Sequence, residues 1–520
     1  MAQYSKGRGN WFPSGNSDVF EVGLLGTKDG TVVSNLNRLP VEIRQVGKTA
    51  FGESSVAELS CVVQLEAIHG IENENAVKFQ TYSALGGVAE TEDNMFKVSS
   101  SATTYSYGVL RSKRFLRYRP GQGALGRFSA RFDTPAADTS QRAGLFNQES
   151  AFMVGYNGTE FGLLHSYGAK SHIHEFTIVT PPSASTDATI VLNDVIYTVP
   201  LVAAETIYQT ASRIARFPFP GWIAEQKDNR IIFLATAVGP KLGADSFTHA
   251  TATATGIHRA VGVAATDVWI KQEDWNGLDG VGKSINWLPG FFNVYQIQYR
   301  WLGAGIIKFS AEHPDTGEWV ELHTIHWVNK ETTLSIGDPS MKIGLVSYNL
   351  GGGAKSVYIG SMMMAIEGKI ITNDYPKSIS GTQSSLSANI IHHIVSVKNP
   401  ITRGGVINTK EIILQDLTVS SQGQDPTEIL LFINPTNQTG AYDFRSMVNA
   451  LASVDNTDAK TFSRTIDPTI VSVTIGINGN GQFPLSDYRI VLDPGDVISV
   501  GVRCGAVIQK VIASLTWTTD

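Results

Sequence analysis

The stretch Glu273-Asp274-Trp275-Asn276-Gly277-Leu278-Asp279-Gly280 is the most enzyme-like part of the chain. Asp274, Asn276 and Asp279 offer side-chain oxygens at short spacing around glycines, the donor type that a hard cation such as Ca²⁺ takes. Two carboxylates beside Trp275 also match what glycoside chemistry needs, a pair of acids flanking a sugar bond. No Glu closes the run at the calcium-loop distance, and Asp and Gly are ordinary turn residues. A plain turn therefore stands beside the two chemical readings.

Histidines are the next source of chemistry. His172 and His174 are two apart and share a face if their segment is a strand, whereas His392 and His393 point to opposite faces. His323 and His326 fit neither ligand spacing well, and no HExxH motif or Cys/His cluster occurs. The expectation is surface or core imidazoles. Two cysteines, Cys61 and Cys504, exclude a disulfide framework and any all-Cys metal site, and two buried thiols are expected. Nucleophile-elbow and phosphate-loop motifs are absent, and Gly351-Gly352-Gly353 before Lys355 is expected to be a flexible loop.

A basic run with interleaved aromatics spans Arg111 to Arg119. It suits single-stranded nucleic acid, by stacking plus phosphate contacts. A strand with one solvated basic face explains it as well. In an assembling protein, Arg114, Arg117 and Arg119 would meet an acidic surface on a neighbouring subunit. The net charge of −6 shows no global basic character, so no specific nucleic-acid partner is expected. Trp275, Trp287 and Trp327 are candidates for exposed glycan-stacking rings, with core packing as the alternative for each.

The elements that must position these groups are strands. Of 520 residues only 17% are charged, below the roughly 25% usual for soluble domains, while 50 are Gly. That mix favours strands and tight turns. In Gly126–Asp133 the side chains of Phe128, Ala130 and Phe132 fall on one face, and those of Arg127, Ser129 and Arg131 on the other. Asn157-Gly158 predicts a type I′ hairpin turn, and Tyr295, Ile297, Tyr299 and Trp301 form the cleanest alternating face. Phe115 to Gly123 reads as a strand entering a Pro-Gly turn. The best helix lies near Ala203 to Ala215, with Ile207, Ala211 and Ile214 on one side. No apolar run is long enough to cross a membrane as a helix, and the opening Met1–Gly9 lacks the apolar core of a secretory signal.

These patterns predict a mainly β, multidomain protein. Residues 1–95 form a docking arm or small β region, and 96–370 a jelly-roll-like β-sandwich interrupted by an α+β module at 171–258. A linker at 371–390 then leads to a C-terminal β-sandwich at 391–520.

Four motifs in order suggest a family. They are RYRPGQGALGRFSARF (Arg117–Phe132), FMVGYNGTEFGLL (Phe152–Leu164), NVYQIQYRWLGAGIIKF (Asn293–Phe309) and HPDTGEW (His313–Trp319). The combination resembles the concanavalin or laminin-G jelly roll, in the style of virion structural proteins of tailed phages and other large DNA viruses. The resemblance covers about half of the chain. It implies a non-enzymatic building block of a virus particle, such as a tail fibre, collar whisker, baseplate accessory or capsid decoration protein. Its partners would be copies of itself, a trimer among the options, and other virion proteins. It carries over no catalytic residue and no cofactor. Sandwiches of the lectin type often bind glycans and many use calcium, so a receptor-recognising adhesin is the alternative and a polysaccharide depolymerase the third reading.

Overall fold

The computed structural model describes residues 59–520, apart from 69, 72–77, 278–279, 370–373, 385, 437–438, 440–441, 448–449, 458–459, 464–468, 489 and 506–509. Side-chain alternation of period two runs through its first part, as an antiparallel sheet with one buried face requires. The strands begin with Leu59–Glu66 (β1), Phe79–Ala84 (β2), Val88–Glu92 (β3), Met95–Ser99 (β4) and Tyr107–Ser112 (β5). Next come Ala124–Phe132 (β6), Thr139–Phe146 (β7), Ala151–Asn157 (β8) and Glu160–Tyr167 (β9). An inserted segment follows, with Ser171–Thr180 (β10), Asp187–Leu192 (β11), Val195–Pro200 (β12), the helix Ile207–Arg216 (α1), Trp222–Lys227 (β13), Arg230–Val238 (β14), Ser246–Thr248 (β15) and Thr253–Ala260 (β16). The host then resumes with Thr266–Lys271 (β17), Asn293–Tyr299 (β18), Ile307–Glu312 (β19), Trp319–Ile325 (β20), Lys342–Asn349 (β21) and Ser356–Glu367 (β22).

The host strands make two antiparallel sheets. One runs β20-β19-β18-β6-β22-β4-β3, with β1 also paired to β22; the other runs β17-β9-β8-β7-β21-β5-β2. The chain crosses between sheets at β5 to β6, β6 to β7 and β21 to β22, the traffic of a jelly-roll sandwich. Phe96, Phe128, Phe132, Phe152, Phe309, Tyr295 and Tyr299 fill the space between the sheets. Full burial of each such ring stabilises by about 1.5–3 kcal/mol. The Tyr299 hydroxyl remains satisfied by donating to the Pro339 carbonyl at 2.7 Å.

Local details depart from expectation. β18 ends at Tyr299, and Trp301 lies just beyond it, half-buried, donating Nε1 to the Ile336 carbonyl at 3.0 Å. In the β8–β9 hairpin Asn157 pairs with Glu160, and only Gly158 has positive φ (62°). That is the signature of a II′ turn with Gly in first place, not the I′ turn that Asn-Gly suggests. The I′ pattern occurs instead at Asn193 (φ 51°) and Asp194 (φ 66°), between β11 and β12. Phe115 to Gly123 is not a strand: it touches a neighbour at one bridge, Leu116 to Met341, before the Pro120-Gly121 turn closes from Gln122 N–H to the Arg119 carbonyl at 3.0 Å. Residues 59–95, expected to belong to a separate N-terminal part, supply β1 to β3 and the start of β4 of the host sheets, and residues 1–58 lie outside the described residues. Cys61 is exposed and Cys504 buried, so one of the two thiols expected inside is outside.

Between β9 and β17, which pair with each other, the inserted segment builds its own core. Its sheets run β13-β14-β10-β16 and β12-β11-β15. Helix α1 starts at Ile207 rather than near Ala203 because Thr206 caps it. The Thr206 hydroxyl accepts from Gln209 N–H at 3.2 Å, and Gln209 Oε1 accepts from Thr206 N–H at 3.0 Å. Such a capping box satisfies two otherwise orphaned donors. Ala211 and Ile214 face the module core.

The C-terminal part is a second sandwich. One sheet runs through Lys377–Gln383, Lys510–Thr519, Ile412–Gln422 and Asn480–Pro484; the other centres on Ile391–Lys398, Val497–Cys504, Thr427–Ile433 and Thr469–Ile475. Lys377–Gln383 falls within the expected linker and is a strand, paired along its length with Val511–Trp517, from Lys377 opposite Trp517 to Gln383 opposite Val511. Its Ser/Gly/Thr composition suits a sheet-edge strand whose outer face is wet. The Asp493-Pro494-Gly495-Asp496 turn forms as expected, with Gly495 at φ 97° and Asp496 N–H donating to the Asp493 carbonyl at 2.9 Å.

Candidate ligand-binding face

The outward face of the eight-stranded sheet begins at β6, where Phe128, Ala130 and Phe132 are buried and Arg127, Ser129 and Arg131 point away from the core. Antiparallel register carries that polar row across the sheet. Arg127 stands opposite Gln296 on β18 and Met363 on β22. Gln296 stands opposite Ser310, and Ser310 opposite Glu321. Residues directly opposite share a face, so these side chains form one line perpendicular to the strands.

Several contacts hold the line in place. Arg127 Nε donates to Gln296 Oε1, and the Lys308 ammonium pairs with Glu321 at 2.8 Å. The Arg127 guanidinium also lies 5.3 Å from the ring centroid of Trp319, which is 42% exposed. Burial pushes Arg127 down from its usual pKa, but guanidinium starts far above neutrality and remains charged. One row along, Arg131 lies 4.1 Å over Tyr358 and 5.8 Å over Phe292, which is itself well exposed.

A hollow of about 610 Å³ opens beside this row, lined by the polar groups of Gln64, Glu66, Lys78, Arg127, Ser129 and Ser361 over Val294 and Met363. Ligand sites occupy roughly 300–1,000 Å³ and combine apolar surface with a few fixed polar groups. An exposed indole beside amide, hydroxyl and guanidinium groups can stack on one face of a flat apolar patch while hydrogen-bonding its polar edge. Among the described residues Glu66 is the one carboxylate in that lining, whereas glycoside hydrolysis takes two.

The residues singled out from sequence lie elsewhere. Trp275, Trp287 and Trp327 are 3%, 6% and 6% exposed. Their indole N–H groups donate to the carbonyls of Ile270 (3.4 Å), Gly282 (2.7 Å) and Thr333 (2.6 Å). All three are packed, not displayed at a rim. The expected cation loop does not assemble among the described residues. Asn276 Oδ1 accepts from Thr324 N–H at 2.8 Å and its amide donates to the Thr324 carbonyl at 3.0 Å, so it pins the loop to β20. Asp274 is exposed, and Asp279 lies outside the described residues.

The basic strip finds its acids inside its own chain. Arg114 pairs with Glu411 (Nη2 to Oε2, 3.1 Å), Arg117 donates to the Thr409 carbonyl at 2.5 Å, and Arg119 pairs with Asp520 at 2.5 Å. Neighbouring Lys113 pairs with Asp496 at 2.9 Å. The strip clamps the first sandwich to the C-terminal one and is not presented to a neighbouring subunit.

No protein-family model and no curated protein matches the chain. Solved structures similar to it include the carbohydrate recognition domain of Emp47p (9% identity, 60% of this chain and 98% of that one, TM-score 0.25). Lectin II from Ulex europaeus is similar at 9% identity over 59% of this chain and 100% of that one, with a TM-score of 0.22. The cellulose-induced protein Cip1 is similar at 8% identity, with coverages of 59% and 100% and a TM-score of 0.24. Likenesses this distant carry no inference about what the chain binds.

Sequence reasoning separated Arg127, Ser129 and Arg131 from the core-facing set, yet did not single them out as a site. It also missed Trp319, although the HPDTGEW turn carrying it was in view. The usable signal was a polar row on a strand whose other face is aromatic.

Proposed function

We propose that the chain is a non-enzymatic binding protein that takes a hydroxyl-rich ligand, a glycan, on the outer face of its eight-stranded sheet. The observation that carries this reading is the exposed Trp319 ring, 5.3 Å from the guanidinium of Arg127, which itself bonds Gln296 and lines a polar hollow. A stacking ring with fixed donors and acceptors around it is what a sugar, apolar on one face and hydroxylated at its edges, requires. A single carboxylate among the described residues of the lining supports recognition rather than cleavage. Arg114, Arg117 and Arg119, one candidate contact for a particle-building role, are engaged within the chain.

The test is a glycan array with the full-length protein, followed by calorimetry on the best hit. Aromatic and Arg anchors at interfaces contribute about 2 kcal/mol or more, so Trp319→Ala and Arg127→Ala should each weaken binding roughly thirtyfold. Tyr375→Ala, an exposed aromatic far along the chain, should leave affinity unchanged. Absence of any glycan binding by the native protein, or binding that survives both substitutions, would overturn the proposal.

A further inference from the structure

The inserted module holds a cluster of imidazoles with a carboxylate that the ligand face does not use. β10 places His172 and His174 on one face, and β16 brings His258 directly opposite His174. The residue before β15, Asp245, enters from the three-stranded sheet, its Oδ1 anchored by Asn193 N–H at 2.8 Å. His172 Nε2 lies 3.0 Å from His258 Nδ1, and His174 Nδ1 lies 3.4 Å from the same atom. His174 Nδ1 is also 3.3 Å from Asp245 Oδ2. Ligating atoms of His172, Asp245 and His258 all fall within 4.8 Å of one another.

These separations have the size of a coordination polyhedron. With metal–nitrogen bonds of about 2.0–2.1 Å, the edge of a zinc tetrahedron is about 3.3–3.4 Å. A second observation points the same way. The Asp245 side chain is 3% exposed, and its Oδ2, aimed at the imidazoles, has no hydrogen-bond partner. A buried carboxylate oxygen without a partner costs about 1–3 kcal/mol or more, and a cation between these groups removes that cost.

From this geometry we infer that His172, His174, His258 and Asp245 form a site for a divalent transition metal of the zinc type. Imidazole with one carboxylate is a borderline-soft set suited to zinc rather than calcium or magnesium. Four protein donors leave no open position, which is the pattern of a structural site. The metal would clip the three-stranded sheet, through Asp245, to the four-stranded sheet, through β10 and β16. His258 is 47% exposed, so an ion can enter from solvent.

The full-length protein, stripped with chelator, is titrated with Zn²⁺ by calorimetry and with Co²⁺ by visible absorption. One equivalent of Zn²⁺ and the intense bands of tetrahedral Co²⁺ are expected. Asp245→Asn, close to isosteric, and His258→Gln, at a half-exposed position, should each lower Zn²⁺ affinity at least tenfold while the circular dichroism spectrum stays native. His313→Ala, an exposed histidine in the host sandwich, should change nothing. A folded native protein that binds no Zn²⁺, or binds it equally well in both cluster variants, holds only a hydrogen-bonded imidazole network, and the inference is then wrong.

Discussion

Replacing Arg114 by Ala should loosen the C-terminal sandwich from the first one by an amount the geometry bounds. Glu411, the acid that Arg114 holds, is 2% exposed, and the guanidinium reaches it with Nη2 at 3.1 Å and Nε at 3.5 Å. Removing one partner of a fully buried pair costs about 3–5 kcal/mol, because the other charge is left without compensation. Arg114 is itself 39% exposed, so water screens part of the interaction and the expectation falls to about 2–3 kcal/mol. A nearby acid works against further reduction: burial and the Glu411 carboxylate already push Asp493 well above the usual carboxylate range. For a unit of this size each kcal/mol moves Tm by about 3–4 °C, giving a drop of about 6–12 °C.

Scanning calorimetry of the full chain reads this directly, with the C-terminal transition separating from the rest. Arg114→Lys should recover part of the loss, since Lys keeps the charge without the two-point geometry. Arg114→Ala combined with Glu411→Gln should cost clearly less than the two single changes added together. If Arg114→Ala shifts Tm by less than about 1 °C, or if the two changes are additive, the clamp does not join the sandwiches and the reasoning fails.

Other outcomes follow from individual sites. His165 and His323 are held below the ordinary histidine pKa by burial, His323 at about 4. Their unfolded values are near 6.5, so the unfolded chain binds more protons between about 6.5 and 4; stability should be full above that window and fall as pH drops through it, which urea midpoints at neutral and mildly acidic pH would show. Gly155 has φ 149° within β8, and a Cβ there would lie 1.9 Å from the Gln141 carbonyl. Gly155→Ala should therefore yield little soluble protein, and normal yield with native spectra would contradict the packing described. Trp517 is fully buried in the C-terminal core. Trp517→Ala should cost about 3–5 kcal/mol in denaturant unfolding, and Trp517→Phe much less. Asn276→Ala removes both bonds to Thr324, and a loss of about 1–3 kcal/mol is expected by the same measurement.

Much of this architecture is written locally. A strand exposes alternate side chains to opposite sides whatever its neighbours are, so the mainly β class and the partition of β6 into Phe128, Ala130 and Phe132 against Arg127, Ser129 and Arg131 are legible in sequence. The Asp493–Asp496 turn and the face of α1 at Ala211 and Ile214 are legible for the same reason: turn chemistry and helical period act within a few residues. What alternation cannot specify is pairing. β6 lies between β18 and β22, more than a hundred residues later, and only that register sets Arg127 beside Gln296 and near Trp319. Long-range packing likewise buried Trp275, Trp287 and Trp327, turned Arg114, Arg117 and Arg119 toward acids of the same chain, and brought Asp245 and His258 to His172 and His174. Residue types and their period set which side chains stand on which face. Contacts between segments distant in the chain, each won against loop-closure entropy by the area it buries, decide which of those faces meet.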